Sequence, residues 1–263
     1  MKKFFWIFGR AFKKFNRDRC PLLASALVHA TTFSLFPLLL GLLSLSLFIL
    51  GSSEGIIDKI MPVIRQVFPA GIDEIVRNIT AIRQTSIAIA VIGFIGFMWA
   101  SASIFRAIES TLNVIWKVKR DRPFFRKSAI TVGSSFIVFI GLFASFGFTL
   151  WGSAVGASGI TRFLPEISFA GSIVLFGLIF KIFPNRHVRW REAYFGAVFT
   201  GVFWEIAKYL FSLYILRVVD YSKLYGSLSA IIILFLWLYY SAYIFLFGAE
   251  LSYVFARRKH LKK

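Results

Sequence analysis

An all-α, polytopic membrane fold is what this sequence predicts, and three observations predict it. Of 263 residues, 58% are hydrophobic and 18% aromatic, which is too apolar for an ordinary soluble domain. The apolar residues gather in runs that approach or exceed the roughly 20 residues a helix needs to cross a bilayer. The 31 Lys and Arg, against 12 Asp and Glu, gather between those runs rather than inside them. The runs place six spans at about 22–51, 85–105, 128–151, 167–183, 194–216 and 228–255, in one membrane domain over 1–263.

The last run, Leu228 to Arg258, is longer than one crossing needs, and Glu250 is its only ionisable group before Arg257. Arg257, Arg258, Lys259, Lys262 and Lys263 mark its end as cytoplasmic. The same rule orients the rest. Segments 2–19, 106–127, 181–191 and 257–263 hold 23 of the 31 basic residues, so both termini are expected inside. Because the excess follows the inner surface loop by loop, its expected partner is the anionic lipid headgroup and not nucleic acid. A homo-oligomer is left open.

Residues 1–19 are expected as a cytoplasmic amphipathic helix and not as a signal peptide, since Arg10, Lys13 and Lys14 interrupt any apolar core. Phe4, Phe5, Phe8, Ala11, Phe12 and Phe15 share one arc, while Lys2, Lys3, Arg10, Lys13, Lys14 and Arg17 share the other. That pattern fits a helix lying in the membrane interface, or one packed on the inner ends of the spans. Cys20 beside it is a lone thiol, with no second cysteine for a disulfide.

The first span carries Pro37 near its middle, which permits a kink, with His29 and Ser34 as its polar features. Residues 54–83 read as two short external helices separated near Pro69-Ala70-Gly71. The second span is expected to project inward, its pattern continuing through Ile108, Leu112, Ile115 and Trp116 with Arg106, Glu109 and Asn113 on the other side. Gly152 with Gly156, and Gly141 with Ser145, give the third span small-residue pairs suited to close packing. Lys181 is placed to snorkel from the end of the fourth.

Chemistry is expected where charge meets the apolar runs. Glu205 and Lys208 lie three residues apart on one face of the fifth span, near its middle, where an unpaired charge costs about 2.5–3.5 kcal/mol. They fit either a structural ion pair or a polar path for an anionic or proton-coupled substrate, with Ser34, Tyr240, Ser241 and His29 as further members. Arg106 paired with Glu109, together with Asn113 and Glu250, reads as a set of polar groups at the inner interface. No nucleotide-binding glycine loop, HExxH, serine elbow or paired histidines occur. No enzyme activity, metal or cofactor is therefore expected.

Leu236-Trp237-Leu238-Tyr239-Tyr240-Ser241-Ala242, with Phe247-Gly248-Ala249-Glu250-Leu251, resembles the last-helix signature of the YihY/BrkB family of bacterial inner-membrane proteins. Ser34-Leu35-Phe36-Pro37-Leu38-Leu39, and Ile108-Glu109 with Leu112-Asn113 and Trp116, extend the resemblance over nearly the whole chain. It implies six transmembrane helices in a bacterial inner membrane. An early ribonuclease label in that family finds no support in these residues, whose cytoplasmic acids Asp18, Glu109, Asp121 and Glu192 are scattered among bases. Two functions stay in view. One is a transporter or flippase-like protein for a lipid or other amphipathic anion, the other a membrane scaffold or envelope-integrity factor.

Overall fold

The computed structural model describes residues 2–50, 87–119, 122–123, 129–131, 133–134, 164–217 and 229–258. Every regular element among them is an α helix, and no strand occurs among the described residues. Helix α1 (Lys2–Arg17) precedes α2 (Cys20–Leu50), α3 (Ile87–Ile115), α4 (Leu164–Ile182), α5 (Trp190–Arg217) and α6 (Ser229–Arg257). Residues 129–131 and 133–134, at the start of the expected third span, are helical too. The external helices expected over 54–83, the Gly152/Gly156 and Gly141/Ser145 pairs, and the outer loop before α6 lie outside the described residues.

Local chemistry sets the helix ends. Arg19 takes a left-handed φ of 53°, which stops α1, and Pro21 in the first turn of α2 starts the next helix where its missing N–H is not needed. Lys117 also has φ 53°. There the Val118 N–H donates to Asn113 O (2.9 Å) and the Lys117 N–H to Val114 O (3.1 Å), a Schellman closure of α3 with lysine where glycine is usual. Helix α5 begins with Glu192 Oε2 accepting from the Arg189 N–H (3.0 Å), half of a capping box. Pro37 sits inside α2 without ending it, and Gly96 of α3 packs against it.

Helices α2 and α3 run side by side, α6 packs on α2 and on α5, and α4 packs on α5. Along α6 the environment changes. Its N-terminal half keeps Ile231, Phe235, Leu236, Tyr239 and Tyr240 exposed, whereas Leu246, Ala249, Glu250, Leu251 and Val254 near the C-terminal end are buried. Ile231–Arg257 is long and apolar enough to cross a membrane, so the N-terminal half presents a surface suited to lipid. The core is therefore concentrated at the C-terminal end of α6, where α1 lies against it.

Two features position that end. Helix α1 buries Ile7, Ala11, Lys14 and Phe15, with Phe8 against Phe199 and Phe15 against Phe247 and Tyr243 at ring separations of 5.4–5.9 Å. Helices α5 and α6 meet at backbone distance. A Cβ on Gly196 would stand 2.1 Å from Ser252 Oγ and 2.2 Å from Gly248 O, and one on Gly248 would stand 1.8 Å from Thr200 Oγ1. Gly196 and Thr200 face Gly248 and Ser252 as two small-xxx-small pairs.

Candidate functional site

Lysine 14 is the centre of the end where α1 meets α6. Its Nζ donates to Asp18 Oδ2 (2.6 Å), Glu250 Oε2 (2.8 Å) and the Ile115 carbonyl (2.9 Å), and it lies 4.0 Å from the centre of the Tyr253 ring. Lys14 is 5% exposed and Glu250 is fully enclosed. The ammonium thus joins α1 to α6 and satisfies the C-terminal carbonyl left open by the turn that ends α3. The Cys20 thiol donates to Glu250 Oε1 (3.5 Å). Burial, then the neighbouring Glu250 carboxylate, push that thiol up, so Cys20 is a protonated donor and not a nucleophile.

A second cluster ties α3 to the turn after α4. Asn113 Oδ1 accepts from the Asn185 N–H (2.7 Å). Arg122 donates to Asn185 Oδ1 (3.2 Å), Ile182 O (2.8 Å) and Pro184 O (3.0 Å). Its Nη1 stands 3.7 Å from Glu109 Oε1. Lys181 donates to Val188 O and approaches the Trp190 ring. The C-terminal ends of α3 and α4 each receive a cation in this way, which complements the negative end of the helix dipole.

These contacts correct three expectations. Glu109 pairs with Arg122, while Arg106 is exposed and donates to Ser103 Oγ (3.0 Å). The i, i+3 spacing of Arg106 and Glu109 is outweighed because Glu109 points inward and Arg106 outward. Glu250 is not solvated at the interface but sealed on Lys14. Lys14 does not belong to a lipid-facing basic arc. It lies seven residues after Ile7 and three after Ala11, on the buried stripe. That spacing was the available signal for Lys14, and the i, i+4 spacing from Lys14 was one for Asp18; Arg122 and Asn185 had none, since each acts through a contact distant in sequence.

The midspan group is arranged differently. Glu205 Oε1 and Lys208 Nζ form an ion pair of 2.8 Å with side chains 31% and 40% exposed, on the flank of α5 and not in its seam with α6. Ser34 and Ser241 are buried, whereas His29 and Tyr240 are exposed. His29 rests on the Phe33 ring, and the neighbour of Tyr240, Tyr239, donates to Ser25 Oγ (3.1 Å). Helix α6 packs between α2, which carries Ser34, and α5, which carries Glu205. The expected members are thus spread around α6 and do not converge on one wall. Among the described residues no three His, Cys, Asp or Glu side chains are grouped to share a metal ion.

A family model described as virulence factor BrkB matches residues 11–263. The chain is 29% identical to a UPF0761 membrane protein of Methylibium petroleiphilum, over 91% of this chain and 60% of that one. It is 28% identical to a UPF0761 membrane protein of Alteromonas mediterranea, over 94% and 86%. It is also 29% identical to the putative ribonuclease-like protein YfkH of Bacillus subtilis, over 90% of each. The chain spans about three fifths of the Methylibium relative's length. No solved structure matches.

Proposed function

The chain belongs to the virulence factor BrkB family, and on that footing we propose that it is a six-span inner-membrane protein that moves a lipid or other amphipathic anion. That it is an integral membrane protein follows from the apolar length of α6 and from its UPF0761 relatives. The single observation that carries transport is the contrast between its two ion pairs. Lys14–Glu250 is sealed, as a pair that only packs should be. Glu205–Lys208 is half open on the flank of α5 beside exposed Ile206, Tyr209 and Leu210, with Glu205 Oε1 itself covered. Charges there face lipid, at about 2.5–3.5 kcal/mol each, or a hydrated path, and the path costs less.

The test is lipid movement by the full chain in vesicles holding a fluorescent phosphatidylglycerol, read by dithionite quenching from outside. The chain is expected to expose inner-leaflet lipid. Glu205→Gln and Glu205→Leu with Lys208→Leu are expected to stop this at unchanged thermal stability, because a half-exposed pair contributes under about 1 kcal/mol to folding. A wild-type chain that moves no lipid overturns the reading. So does a fully active double-leucine variant.

A scaffold is the second reading. It is favoured by the inner end itself, where buried bonds tie α1, α3, α4 and α6 and where α5 and α6 touch at the backbone. Neither reading includes a nuclease. Asp18 and Glu250 are engaged by Lys14, Glu109 by Arg122 and Glu192 by a backbone N–H, which leaves these four carboxylates committed to structure. We assign no enzyme activity, cofactor or nucleic-acid partner. Both termini are placed in the cytoplasm on the charge distribution. Reporter fusions at Gly71 and Gly159 are expected outside and one at Asp121 inside; an inside signal at Gly71 sinks the six-span topology.

A further inference from the structure

Helix α1 has three arcs and not two. The first, Ile7, Ala11, Lys14 and Phe15, is consumed by the protein. The second holds Phe5 and Phe12, 74% and 60% exposed, seven residues apart and so within about 20° of one another around the helix. The third holds Arg10, Lys13 and Arg17, all exposed. Asp18, the only acid among the first 19 residues, is mostly buried and bound to Lys14. The outward arcs are therefore apolar along one edge and cationic along the next.

We propose that α1, clamped to the protein by Lys14, docks on the anionic inner leaflet, with Phe5 and Phe12 entering the headgroup–acyl boundary and Arg10, Lys13 and Arg17 facing lipid phosphates. Charge and polarity choose this occupant. A nucleic acid meets the basic edge but leaves two phenylalanines in water, and a second copy of the chain brings the same cations against each other. Placement agrees. α1 lies at the inner end of α6, and the Arg10 guanidinium sits 5.0 Å over the half-buried Trp6 ring, a ring type common at membrane interfaces. Leu22, in the first turn of α2, is likewise a large apolar side chain left exposed. Because Lys14 holds the helix, this contact fixes the depth of the whole inner end against the headgroups. The proposal does not depend on transport.

The probe is a bimane attached to Gly9→Cys in the full chain. Gly9 is exposed, with nothing within 4 Å of a Cβ built there, and it lies between the two outward arcs. The native Cys20 is buried and stays unlabelled. In vesicles with spin-labelled lipid, quenching in phosphatidylglycerol is expected to exceed that in phosphatidylcholine by roughly twofold or more. Replacing Arg10, Lys13 and Arg17 with Gln is expected to reduce it to the phosphatidylcholine level, and Phe5→Ser with Phe12→Ser to lower it in both. Equal quenching in the two lipids, or none in either, overturns the proposal. So does a bimane already shielded from iodide in dilute detergent, which identifies a protein partner on this face.

Discussion

Lys14→Met is expected to lower the stability of the detergent-solubilised chain by about 3–5 kcal/mol, read as a shift of its unfolding transition by circular dichroism. The lost ammonium leaves Glu250 fully enclosed with the Cys20 thiol as its remaining donor, and leaves the Ile115 carbonyl at the end of α3 without the donor it now has. Glu250→Leu alone is expected to cost less, because Lys14 keeps Asp18 as its charge partner at 2.6 Å together with the Ile115 carbonyl. Combining the two is expected to recover part of the Lys14→Met loss, since no carboxylate is then enclosed at position 250, while Asp18 and the Ile115 carbonyl still lack the ammonium. The same cycle at Glu205 and Lys208 is expected to move stability little, because that pair is half open. If both cycles behave alike, the contrast that separates a packing pair from a path loses its basis. If Lys14→Met is neutral, α1 is not clamped as described.

Helices α2 to α6 were legible because each contains a long apolar run. The run from Leu228 read as a membrane-spanning helix, and α6 is one continuous helix over Ser229–Arg257. The continuation of the second helix beyond Phe105 was legible to within a residue: the pattern continues to Trp116, and α3 ends at Ile115. Partners were less legible. Glu250 stood out as a lone charge in an apolar run, yet its partner is 236 residues away, and no periodicity links α1 to α6. Positive charge in the inner loops reads as one population. The structure divides it into cations that bind backbone carbonyls, namely Lys14, Arg122 and Lys181, and cations that stay exposed, such as Arg106, Lys117 and Arg189. The division depends on which way each side chain points after the chain turns at Arg19 and Lys117, where non-glycine residues take a left-handed backbone that composition does not announce.

Gly248 lies in the stretch that carries the family resemblance, and the α5–α6 contact explains it. Gly196→Ala is expected to be the most damaging single-methyl addition in this seam. Its Cβ meets Ser252 Oγ at 2.1 Å and the Gly248 carbonyl at 2.2 Å, and the second obstacle is backbone, which no rotamer change removes. The helices must part, so the cost is expected at or above the upper end of the usual overpacking range, about 3 kcal/mol. Gly248→Ala meets mainly Thr200 Oγ1, at 1.8 Å, with Gly196 O and Thr200 Cβ at 3.1 and 3.2 Å. Thr200 Oγ1 is itself held on Gly196 O (2.9 Å). Thr200→Ala is therefore expected to rescue much of Gly248→Ala, whereas Ser252→Ala is expected to rescue little of Gly196→Ala, because the carbonyl stays. Unfolding transitions of the four variants and the two pairs measure this asymmetry directly. Equal rescue in the two pairs rules out a backbone-limited crossing, and tolerance of Gly196→Ala shows that α5 and α6 do not meet at this point.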